Sequence, residues 1–512
     1  MNALLVYPRW PDTFWSFKHA LPFEGKRSAF PPLGLLTIAS LLPPHWNRRL
    51  VDTNVRPLRD RDLRWADVVL LSGMLVQKES LLEILGRCRR HRRPTVVGGP
   101  ITSCAPELAL HADRIVIGEA EELMPELVQD IESGSGRRVY RAAAMPGLDR
   151  TPLPALDLIS LRPYSSMTVQ FSRGCPFNCE FCDIIEIYGR KPRTKSPAQV
   201  LAELELLERR GWRGSVFLVD DNFIGNKRKV RELLVELARW NPARGYPFTF
   251  YTEASLNLAD EPELLELMRR AGFTRVFVGI ETPVEASLKE AHKMQNTRRD
   301  LLESVRRIQS AGLEVMAGFI VGFDNDPPDV FDRQVEFIEQ SAIALAMVGL
   351  LQAVPGTQLY RRLEAEGRLL GPGGGNNTDL HLNFLPRMDF ARLLEGYRSI
   401  LQRIYEPRAY FERVRRFIAD YTPAVRRSHS LSDVLALVRS VVRQGVLGRA
   451  RSAYWKLFWE AALRRREAFD VAMTLAIMGY HFQKLTDRLL AMPASLPAGV
   501  ESAAQGMLSC EA

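Results

Sequence analysis

The feature that most restricts the fold of this chain is a repeated alternation of short apolar segments with helical patterns. A first series, within residues 1 to 130, contains five such segments separated by helical patterns and glycine-rich turns. Strands that alternate with helices predict parallel pairing, because each crossover returns the chain to the same end of the sheet. We expect a doubly wound, Rossmann-like sheet. Its predicted strands are Ala3–Tyr7, Arg49–Val51, Val68–Ser72, Thr95–Val97 and Ile115–Ile117.

A second series of six apolar segments follows a linker rich in glycine, serine and proline. Six βα units in about 200 residues indicate a partial (β/α)6 barrel, with functional groups at the carboxyl ends of its strands. The predicted strands are Met167–Phe171, Val216–Val219, Thr249–Tyr251, Val276–Gly279, Val315–Ile320 and Ala346–Leu351. The predicted fold class is therefore α/β, with four parts: a Rossmann-like domain at 1–132, a linker at 133–165, a barrel at 166–371 and a mainly helical region at 372–512.

Composition and charge exclude several classes of protein. Of the 512 residues, 46% are hydrophobic and 25% are charged, which is typical of a globular chain rather than a disordered one. The net charge of +9 is modest for this length, and no recognised RNA-binding module accompanies it, so no nucleic acid partner is expected. The amino terminus lacks the pattern of a secretory signal. We expect a cytoplasmic protein that at most touches the inner face of the membrane.

Three of the six cysteines, Cys175, Cys179 and Cys182, fall within eight positions directly after the first predicted barrel strand. Three thiolates on one short loop can bind three irons of a [4Fe–4S] cube and leave the fourth iron open to a cofactor or substrate. Zinc is the alternative, but a structural zinc site normally takes four protein ligands, and no nearby Cys or His supplies an obvious fourth. The other three cysteines are scattered singly and are predicted to be ordinary residues.

The segment RGCPFNCEFC, with Phe181 before the last cysteine, resembles the signature of radical S-adenosylmethionine (SAM) enzymes. In that superfamily the open iron binds SAM, and one electron cleaves SAM to a 5′-deoxyadenosyl radical. The resemblance also implies SAM-binding residues at the ends of the barrel strands: two aspartates, two glutamates and two glycines. Each type has an alternative role, since the aspartates could cap helices, the glutamates could form surface salt bridges and the glycines could simply form turns. The residues that the resemblance implies for SAM binding are Asp220, Asp221, Glu253, Glu281, Gly318 and Gly322.

The first series resembles the cobalamin-binding domain found in the corrinoid-dependent branch of that superfamily, on the strings PPLGLLTIAS, SGM, VVGGP and GEAEEL. The DxHxxG motif that gives cobalt a histidine ligand in many corrinoid enzymes is missing, so Met74 or Leu75 is predicted near the lower cobalt face. A flavodoxin-like domain that binds nothing is the alternative. The implied cobalamin site consists of Asp52, Ser72, Gly73, Met74, Gly98, Gly99, Gly118 and Glu119.

Nearly the whole chain resembles one subgroup of cobalamin-dependent radical SAM proteins, which includes the hopanoid 2-methylase. The strings YGRKPRTKSPAQ, VDDNFIGNK, GIETP and LLQAVPGTQLYRRLEAEGRL carry this resemblance. It implies a C-methyltransferase acting on an unactivated carbon of a lipid-like or natural-product substrate, such as a hopanoid, another terpenoid or a tetrapyrrole. One SAM would provide the methyl group and a second the radical, with electrons from a reductant such as flavodoxin or ferredoxin.

Two other functions stay open at this point. One is a cobalamin-binding radical SAM enzyme without methyl transfer, such as an oxidative cyclase or a ring-rearranging enzyme. The other is a non-catalytic iron–sulfur or cobalamin sensor. No side chain beyond the cluster ligands is assigned a catalytic role, since hydrogen abstraction by a radical needs no general base.

The region from Arg403 to Arg466 is rich in arginine and aromatic residues. Such a stretch could lie on an anionic bilayer, with its aromatic rings at the interface and its arginines on the headgroups. It could equally form a helical domain that packs on the barrel and presents a solvated basic face. The sequence leaves both possibilities open.

Overall fold

The computed structural model of the protein describes residues 1–376, 378, 380–425 and 431–492. The chain divides into two compact units: unit 1 contains residues 1–12, 26–176 and 184–233, and unit 2 contains 13–25, 177–183 and 234–512.

Within the described part of the chain, the α-helices are α1 (Leu21–Glu24), α2 (Leu33–Leu41), α3 (Asp60–Trp65), α4 (Lys78–Arg90), α5 (Ile101–Cys104), α6 (Met124–Glu132), α7 (Ile184–Tyr188), α8 (Pro197–Arg209), α9 (Lys227–Ala243), α10 (Pro262–Ala271), α11 (Glu285–Glu290), α12 (Leu301–Ser310), α13 (Val330–Gln340), α14 (Gln358–Ala365), α15 (Phe390–Ile404), α16 (Pro407–Asp420), α17 (Leu431–Ser440), α18 (Arg451–Arg464) and α19 (Phe469–Ala491).

The first sheet lies in unit 1 and is entirely parallel. Its strands are β1 (Asn2–Tyr7), β2 (Asn47–Asp52), β3 (Val68–Ser72), β4 (Thr95–Gly98), β5 (Arg114–Ile117) and β6 (Val139–Arg141). The order β2-β1-β3-β4-β5-β6 reverses direction between β1 and β3, and doubly wound sheets bind their ligands beyond such a reversal. The central residues Leu4, Leu5 and Val69 are fully buried, as expected for a sheet covered on both faces.

The sixth strand corrects the prediction of five. β6 lies in the segment 133–165, which the sequence analysis predicts to be a linker. The strand has only three residues, Val139–Arg141, which are too few to show a hydrophobic pattern in the sequence. The strand pairs with β5, and Tyr140 at its centre is fully buried, so tertiary contacts rather than local preference hold it.

The second sheet has six parallel strands in simple chain order, β14-β13-β12-β11-β10-β7, as predicted for a partial barrel. β7 and β10 belong to unit 1, and the other four belong to unit 2. A short antiparallel pair, β8 with β9, follows β7. The strands are β7 (Met167–Val169), β8 (Ser172–Arg173), β9 (Arg193–Thr194), β10 (Gly214–Leu218), β11 (Phe248–Ala254), β12 (Phe273–Glu281), β13 (Glu314–Val321) and β14 (Ala346–Leu350).

Towards their carboxyl ends, from Val276 to Ile280 and from Ala317 to Val321, strands β12 and β13 alternate between buried and half-buried residues, which distinguishes their two faces. Phe319 on one face contacts Phe337 of α13, with ring centroids 6.0 Å apart, so helices cover this face. The opposite face is partly open. We call it the inner face, and its half-buried residues are Phe277, Gly279, Gly318 and Ile320.

Residues 13–25, which we call the N-terminal segment, pack against helix α19 within unit 2. The rings of Phe14 and Phe482 stack with centroids 5.2 Å apart. His481 is fully buried; its Nδ1 accepts the N–H of His19 at 3.4 Å, and its Nε2 lies 3.1 Å from the carbonyl oxygen of Thr13. These contacts require the ring hydrogen on Nε2, so a neutral histidine anchors the segment.

The C-terminal helices follow the predicted pattern, with α15 to α19 accounting for most of the chain beyond residue 389 that the structure describes. None of the helices in the described ranges combines the length and hydrophobicity needed to cross a membrane.

Candidate functional site

The cysteine loop follows β8, and its entry depends on a glycine. Gly174 has a φ of 94°, and a Cβ there would lie 2.8 Å from the carbonyl oxygen of Gly189. The N–H of Cys175 donates to that same carbonyl at 3.2 Å. A side chain at position 174 would therefore push the loop away from the turn that positions its first cysteine. Cys179 is buried, while Cys175 and Cys182 are half-buried.

Asp220, in the turn after β10, holds the start of this loop. Its carboxylate accepts the N–H groups of Phe171 (2.8 Å) and Ser172 (2.9 Å) and the hydroxyl of Ser172 (2.6 Å). Burial raises the pKa of Asp220 to about 7, although the bonds from Ser172 and Phe171 act in the opposite direction. This carboxyl, predicted to face SAM, is thus directed at the backbone of the loop.

The next two residues of the same turn reach the first cysteine. Asp221 accepts the N–H of Gly174 at 2.7 Å. The amide nitrogen of Asn222 lies 3.8 Å from Sγ of Cys175, within hydrogen-bond range for sulfur. Hydrogen bonds to cysteine sulfur are one of the means by which proteins set the potential of an iron–sulfur cluster.

A second group of polar side chains surrounds the other two cysteines in unit 2. Nζ of Lys293 lies 2.6 Å from Oε1 of Glu281, and both side chains are largely buried. Burial opposes the charged form of Lys293, but Glu281 and the sulfurs of Cys179 and Cys182 outweigh it and raise the lysine pKa. The amide nitrogen of Gln295 lies 3.7 Å from Sγ of Cys179. A cationic side chain therefore lies beside the two thiols.

The remaining residues predicted for SAM end neighbouring strands of unit 2. Glu253 is half-buried near the end of β11, in register with Phe277. A Cβ at Gly318 would lie 3.0 Å from Cζ of Phe277, so the glycine accommodates that ring. Gly322 has a φ of 107° and faces Leu393 of α15. Glu281 also has a positive φ, 67°, directly after an irregularity in β12.

Small residues form the carboxyl edge of the first sheet at β3 and β4. Gly99 has a φ of 85°, and a Cβ there would lie 2.3 Å from Oγ of Ser72. At Gly98 the nearest atom would be 3.7 Å away, which is ordinary contact. Gly73 likewise has only ordinary contacts, and its carbonyl accepts the N–H of Ile101. The two turns thus approach each other closely and leave backbone at the edge.

Asp52 and Met74 differ in what they present at this edge. Asp52 is buried; one oxygen accepts from the backbone and side chain of Asn54, and the other accepts the hydroxyl of Tyr164 at 3.0 Å. Burial raises the pKa of Asp52, and these bonds oppose the rise. Met74 is 41% exposed, whereas Leu75 is buried. Of the two residues predicted near the lower cobalt face, only Met74 offers its side chain to a ligand.

The turn after β5 connects to the cysteine loop through charged groups. Gly118 has a φ of 88°, and Glu119, which follows it, is buried. The Glu119 carboxylate pairs with both Arg173 and Arg193. Arg173 also pairs with Glu121 at 2.7 Å. Glu119, predicted to bind cobalamin, therefore joins this turn to the residue two positions before Cys175.

Three polar residues near the cysteines were not predicted: Asn222, Lys293 and Gln295. Asn222 lies inside the VDDNF string, so its position beside Asp221 is a signal that sequence could have used. Lys293 and Gln295 lie in the string HKMQN. This string carries no such signal, since only the tertiary fold brings it to the cysteine loop. Among the described residues, no group of three or more His, Cys, Asp or Glu side chains is arranged to hold a metal ion. In a cube each thiolate binds a different iron, so cluster ligands need not share one ion.

Comparison with protein families gives three matched regions. Residues 169–338 match the radical SAM superfamily, and residues 27–128 match the B12 binding domain. Residues 357–492 match a domain of unknown function. The first two matches agree with the barrel and the doubly wound sheet, and they confirm the predicted fold class together with the predicted [4Fe–4S] cluster, SAM and cobalamin as cofactors.

Two curated relatives are similar over nearly their whole length. An uncharacterised methyltransferase of Synechocystis sp. is 44% identical over 489 residues, which cover 94% of this chain and 91% of the relative. The hopanoid C-2 methylase of Rhodopseudomonas palustris is 37% identical over 491 residues, covering 93% and 92%. These similarities confirm the prediction of a methyltransferase.

Two solved structures share the fold. The radical SAM methyltransferase TsrM from Kitasatospora setae, solved with cobalamin and a [4Fe–4S] cluster, has a TM-score of 0.59 at 17% identity and covers 93% of this chain and 99% of its own. The cobalamin-dependent SAM radical enzyme OxsB, solved with aqua-cobalamin and SAM, has a TM-score of 0.62 at 15% identity, covering 96% and 79%. The family matches and the two curated relatives show that the chain belongs to the cobalamin-dependent radical SAM methyltransferases, the subgroup that includes the hopanoid C-2 methylase.

Proposed function

We propose that this protein methylates an unactivated carbon of a polycyclic, lipid-like substrate. The observation that carries the proposal is the inner face of the barrel strands, where the apolar side chains of Phe277 and Ile320 lie beside Gly279 and Gly318. The charged pair of Glu281 and Lys293 lies next to Gly279, at the carboxyl end of this face. The ring of Trp15 lies 4.9 Å from that of Phe277, at 59°. Aromatic rings beside glycines favour a flat apolar molecule, which is bound by burial of its surface rather than by a charged group. The 37% identity to a hopanoid C-2 methylase supports the same substrate class.

We assign three sets of residues to the cofactors. When bound, the cluster, SAM and cobalamin supply the electron, the radical and the methyl group. The glycines at the sheet edge and the half-buried Asp221, Glu253 and Gly318 support the assignments. Glu281 and Gly322 are buried and are assigned on the resemblance alone. The cluster takes Cys175, Cys179 and Cys182; SAM takes Asp221, Glu253, Glu281, Gly318 and Gly322; cobalamin takes Ser72, Gly73, Met74, Gly98, Gly99 and Gly118.

Three residues predicted to bind cofactors act by positioning instead. The carboxylates of Asp220, Asp52 and Glu119 are buried and bonded to protein groups. Asp220 holds the loop that leads to the first cysteine, and Glu119 holds Arg173 on the same loop. Asp52 fixes the turn after β2. In this reading the three carboxylates orient cofactor-binding residues without touching a cofactor themselves.

The division into 1–132, 133–165, 166–371 and 372–512 stays a prediction. The matches at 27–128 and 169–338 fall inside the first and third parts, while the match at 357–492 begins before the boundary at 372.

Reduction of the cluster requires an external one-electron donor, for which flavodoxin or ferredoxin is proposed. A cytoplasmic location with peripheral contact to the inner face of the membrane is proposed as well.

The test is anaerobic reconstitution with iron, sulfide and hydroxocobalamin, followed by turnover with SAM, a chemical reductant and a detergent-solubilised pentacyclic triterpenoid. Mass spectrometry should show a product heavier by one methylene, with S-adenosylhomocysteine and 5′-deoxyadenosine formed in equal amounts. A tetrapyrrole offered under the same conditions should remain unmethylated.

Two results would contradict the proposal. Formation of 5′-deoxyadenosine without S-adenosylhomocysteine would indicate radical chemistry without methyl transfer, such as oxidative cyclisation. Methylation of the tetrapyrrole but not of the triterpenoid would assign the inner face to a different substrate class.

A further inference from the structure

Helix α17 presents a row of aliphatic side chains to solvent. Leu431, Val434, Leu435 and Val438 are between 43% and 77% exposed, and Val442 and Val446 in the following π-helix are 46% and 55% exposed. Their spacing of three and four residues places the row along one side of the helix. Single exposed aliphatic residues are common on proteins, but a continuous row of six marks an interaction surface. We call these six residues the α17 face.

The fold of unit 2 uses the other side of this helix. Ala436 and Ser440 are buried, and Oγ of Ser440 lies 3.1 Å from the hydroxyl of Tyr454 on α18. Of the aromatic residues of α18, Tyr454 is fully buried, Trp455 and Phe458 are half-buried and Trp459 is 53% exposed. The helix is therefore held without the α17 face, and the fold alone does not explain its aliphatic residues.

The charge around this face is positive. Residues 431–451 contain four arginines and a single acidic residue, Asp433. Arg443, Arg449 and Arg451, beside and after the face, are exposed to solvent. By contrast, Arg413 earlier in the region is fully buried and paired with Glu339. The basic composition of the region thus divides into internal arginines and exposed ones next to an aliphatic surface.

We propose that the α17 face docks on an anionic lipid bilayer. Its aliphatic side chains enter the boundary between headgroups and acyl chains, while Arg443, Arg449 and Arg451 contact lipid phosphates. An anionic bilayer matches both the exposed aliphatic side chains of the α17 face and the positive charge of the arginines beside it. The choice of a lipid surface rests on the proposed function, because a polycyclic lipid resides in the membrane.

The α17 face is connected to the inner face of the barrel strands through the N-terminal segment. Nη1 of Arg439 donates to the carbonyl oxygen of Phe23 at 2.7 Å, and the guanidinium of Arg443 lies 5.0 Å from the Phe23 ring. The same segment carries Trp15, which packs on Phe277. Docking would therefore place the bilayer against the helix that supports one wall of the inner face.

The experiment is sedimentation of the full-length protein with vesicles of phosphatidylcholine alone or mixed with phosphatidylglycerol. Wild type should bind the mixed vesicles more tightly, and added salt should weaken that binding. The double variant Val434→Glu/Val438→Glu should lose about tenfold or more of this binding, because it places charge at the acyl boundary. The matched control is Leu110→Glu/Leu153→Glu, at positions in unit 1 that are 71% and 43% exposed, and it should bind like wild type.

A second variant, Arg449→Ser/Arg451→Ser, tests the charges separately and changes no packed residue. It should reduce the preference for phosphatidylglycerol and leave the weak binding to phosphatidylcholine unchanged. Circular dichroism and thermal melting should match wild type for both variants, because all four substituted side chains are exposed.

Docking is disproved if wild type does not sediment with the mixed vesicles or if Val434→Glu/Val438→Glu sediments like wild type. Light scattering that shows a wild-type dimer and a monomeric variant would instead assign the face to contact between two copies. Turnover separates this proposal from the function: Val434→Glu/Val438→Glu should keep its activity on detergent-solubilised substrate and lose it on vesicle-embedded substrate. Lack of methylation by wild type in detergent would contradict the function and leave the sedimentation result intact.

Discussion

The carboxyl edges of the two sheets are built by different means. At the first sheet, the turns after β3 and β4 approach so closely that a Cβ at Gly99 would meet Ser72 at 2.3 Å. At the second sheet, the turn after β10 uses side chains, since Asp220 and Asp221 accept three backbone N–H groups of the loop before Cys175. One edge depends on missing side chains and the other on particular carboxylates. Substitutions in the turns after β3 and β4 should therefore leave the turn after β10 intact, and the reverse, whereas Glu119 links the turn after β5 to the cysteine loop.

The largest effect is expected for substitution of a cluster cysteine, which should remove the function of the second sheet and leave that of the first. Cys179→Ala should abolish both the iron content and SAM cleavage, while binding of hydroxocobalamin at the first sheet persists. The control is Cys88→Ala, because burial raises the pKa of that thiol to about 12 and keeps it protonated, unsuited as a ligand. Iron analysis, 5′-deoxyadenosine release and corrinoid absorbance measure the three properties. Loss of corrinoid binding in Cys179→Ala would show that the two edges are not independent.

Asp220→Asn should weaken the side-chain-built edge. An amide donor would face the N–H of Ser172, and an unsatisfied buried group costs about 1–3 kcal/mol. We expect a lower melting temperature and less iron per chain after reconstitution. Asp221→Asn at the half-buried neighbour, which keeps an oxygen for the single N–H of Gly174, should cost less. Equal losses in both variants would contradict the role of burial.

Asp220→Asn should also change the way in which the stability of the protein depends on pH. The folded chain raises the pKa of Asp220 from 3.8 to about 7 by burial, so it retains a proton that the unfolded chain releases. The stability from this carboxyl is present below pH 3.8 and is lost as pH rises through about 7. Between pH 5 and pH 8, wild type should lose more melting temperature than Asp220→Asn, whose side chain stays neutral. Parallel curves for the two proteins would exclude a proton on Asp220.

Gly99→Ala should affect the backbone-built edge. The added Cβ would collide with Ser72 at a φ of 85°, so corrinoid affinity should fall about tenfold or more while iron content stays unchanged. Gly86→Ala, within α4 and outside the residues assigned to cobalamin, has only an ordinary contact and should bind hydroxocobalamin like wild type. Titration followed by absorbance gives both affinities. Equal affinities of the two variants would show that the close approach is unimportant.

The smallest expected effect concerns the charge beside the cysteines. Lys293→Gln removes a cation close to Cys179 and Cys182, so the reconstituted cluster should become harder to reduce and its potential should fall. Lys293→Arg keeps the charge and should restore most of the potential. Redox titration followed by electron paramagnetic resonance measures it without turnover. An unchanged potential in Lys293→Gln would mean that Glu281 already neutralises the cation.

Sequence reasoning was most successful where spacing alone determines the chemistry. The three cysteines and the βα alternation of both sheets could be read directly, because a loop position and the spacing of apolar segments are local properties. The inner face could be expected in outline, since alternate residues of β12 and β13 must point to opposite sides. Which of these residues pack on Trp15 could not, because that contact joins segments about 260 positions apart.

The roles of carboxylates were harder to predict. Asp220 and Glu119 stand at strand ends, where a ligand contact and a structural bond look the same in one sequence. Their partners, Ser172 and Arg193, became visible only in three dimensions. Lys293 shows the converse, since a lysine in a polar string gives no sign that it is buried beside two thiols. Burial and partner identity, rather than residue type, decided these cases.

The anchoring of the N-terminal segment by His481 has a consequence for synthesis. Thr13, Phe14 and His19 leave the ribosome before their partners on α19, which follow 462 to 468 positions later in the chain. At about 5–20 residues per second, translation keeps them apart for roughly 25–100 seconds. Throughout this interval Phe14 lacks its stacking partner Phe482, so the nascent chain offers chaperones an aromatic stretch that the finished enzyme conceals.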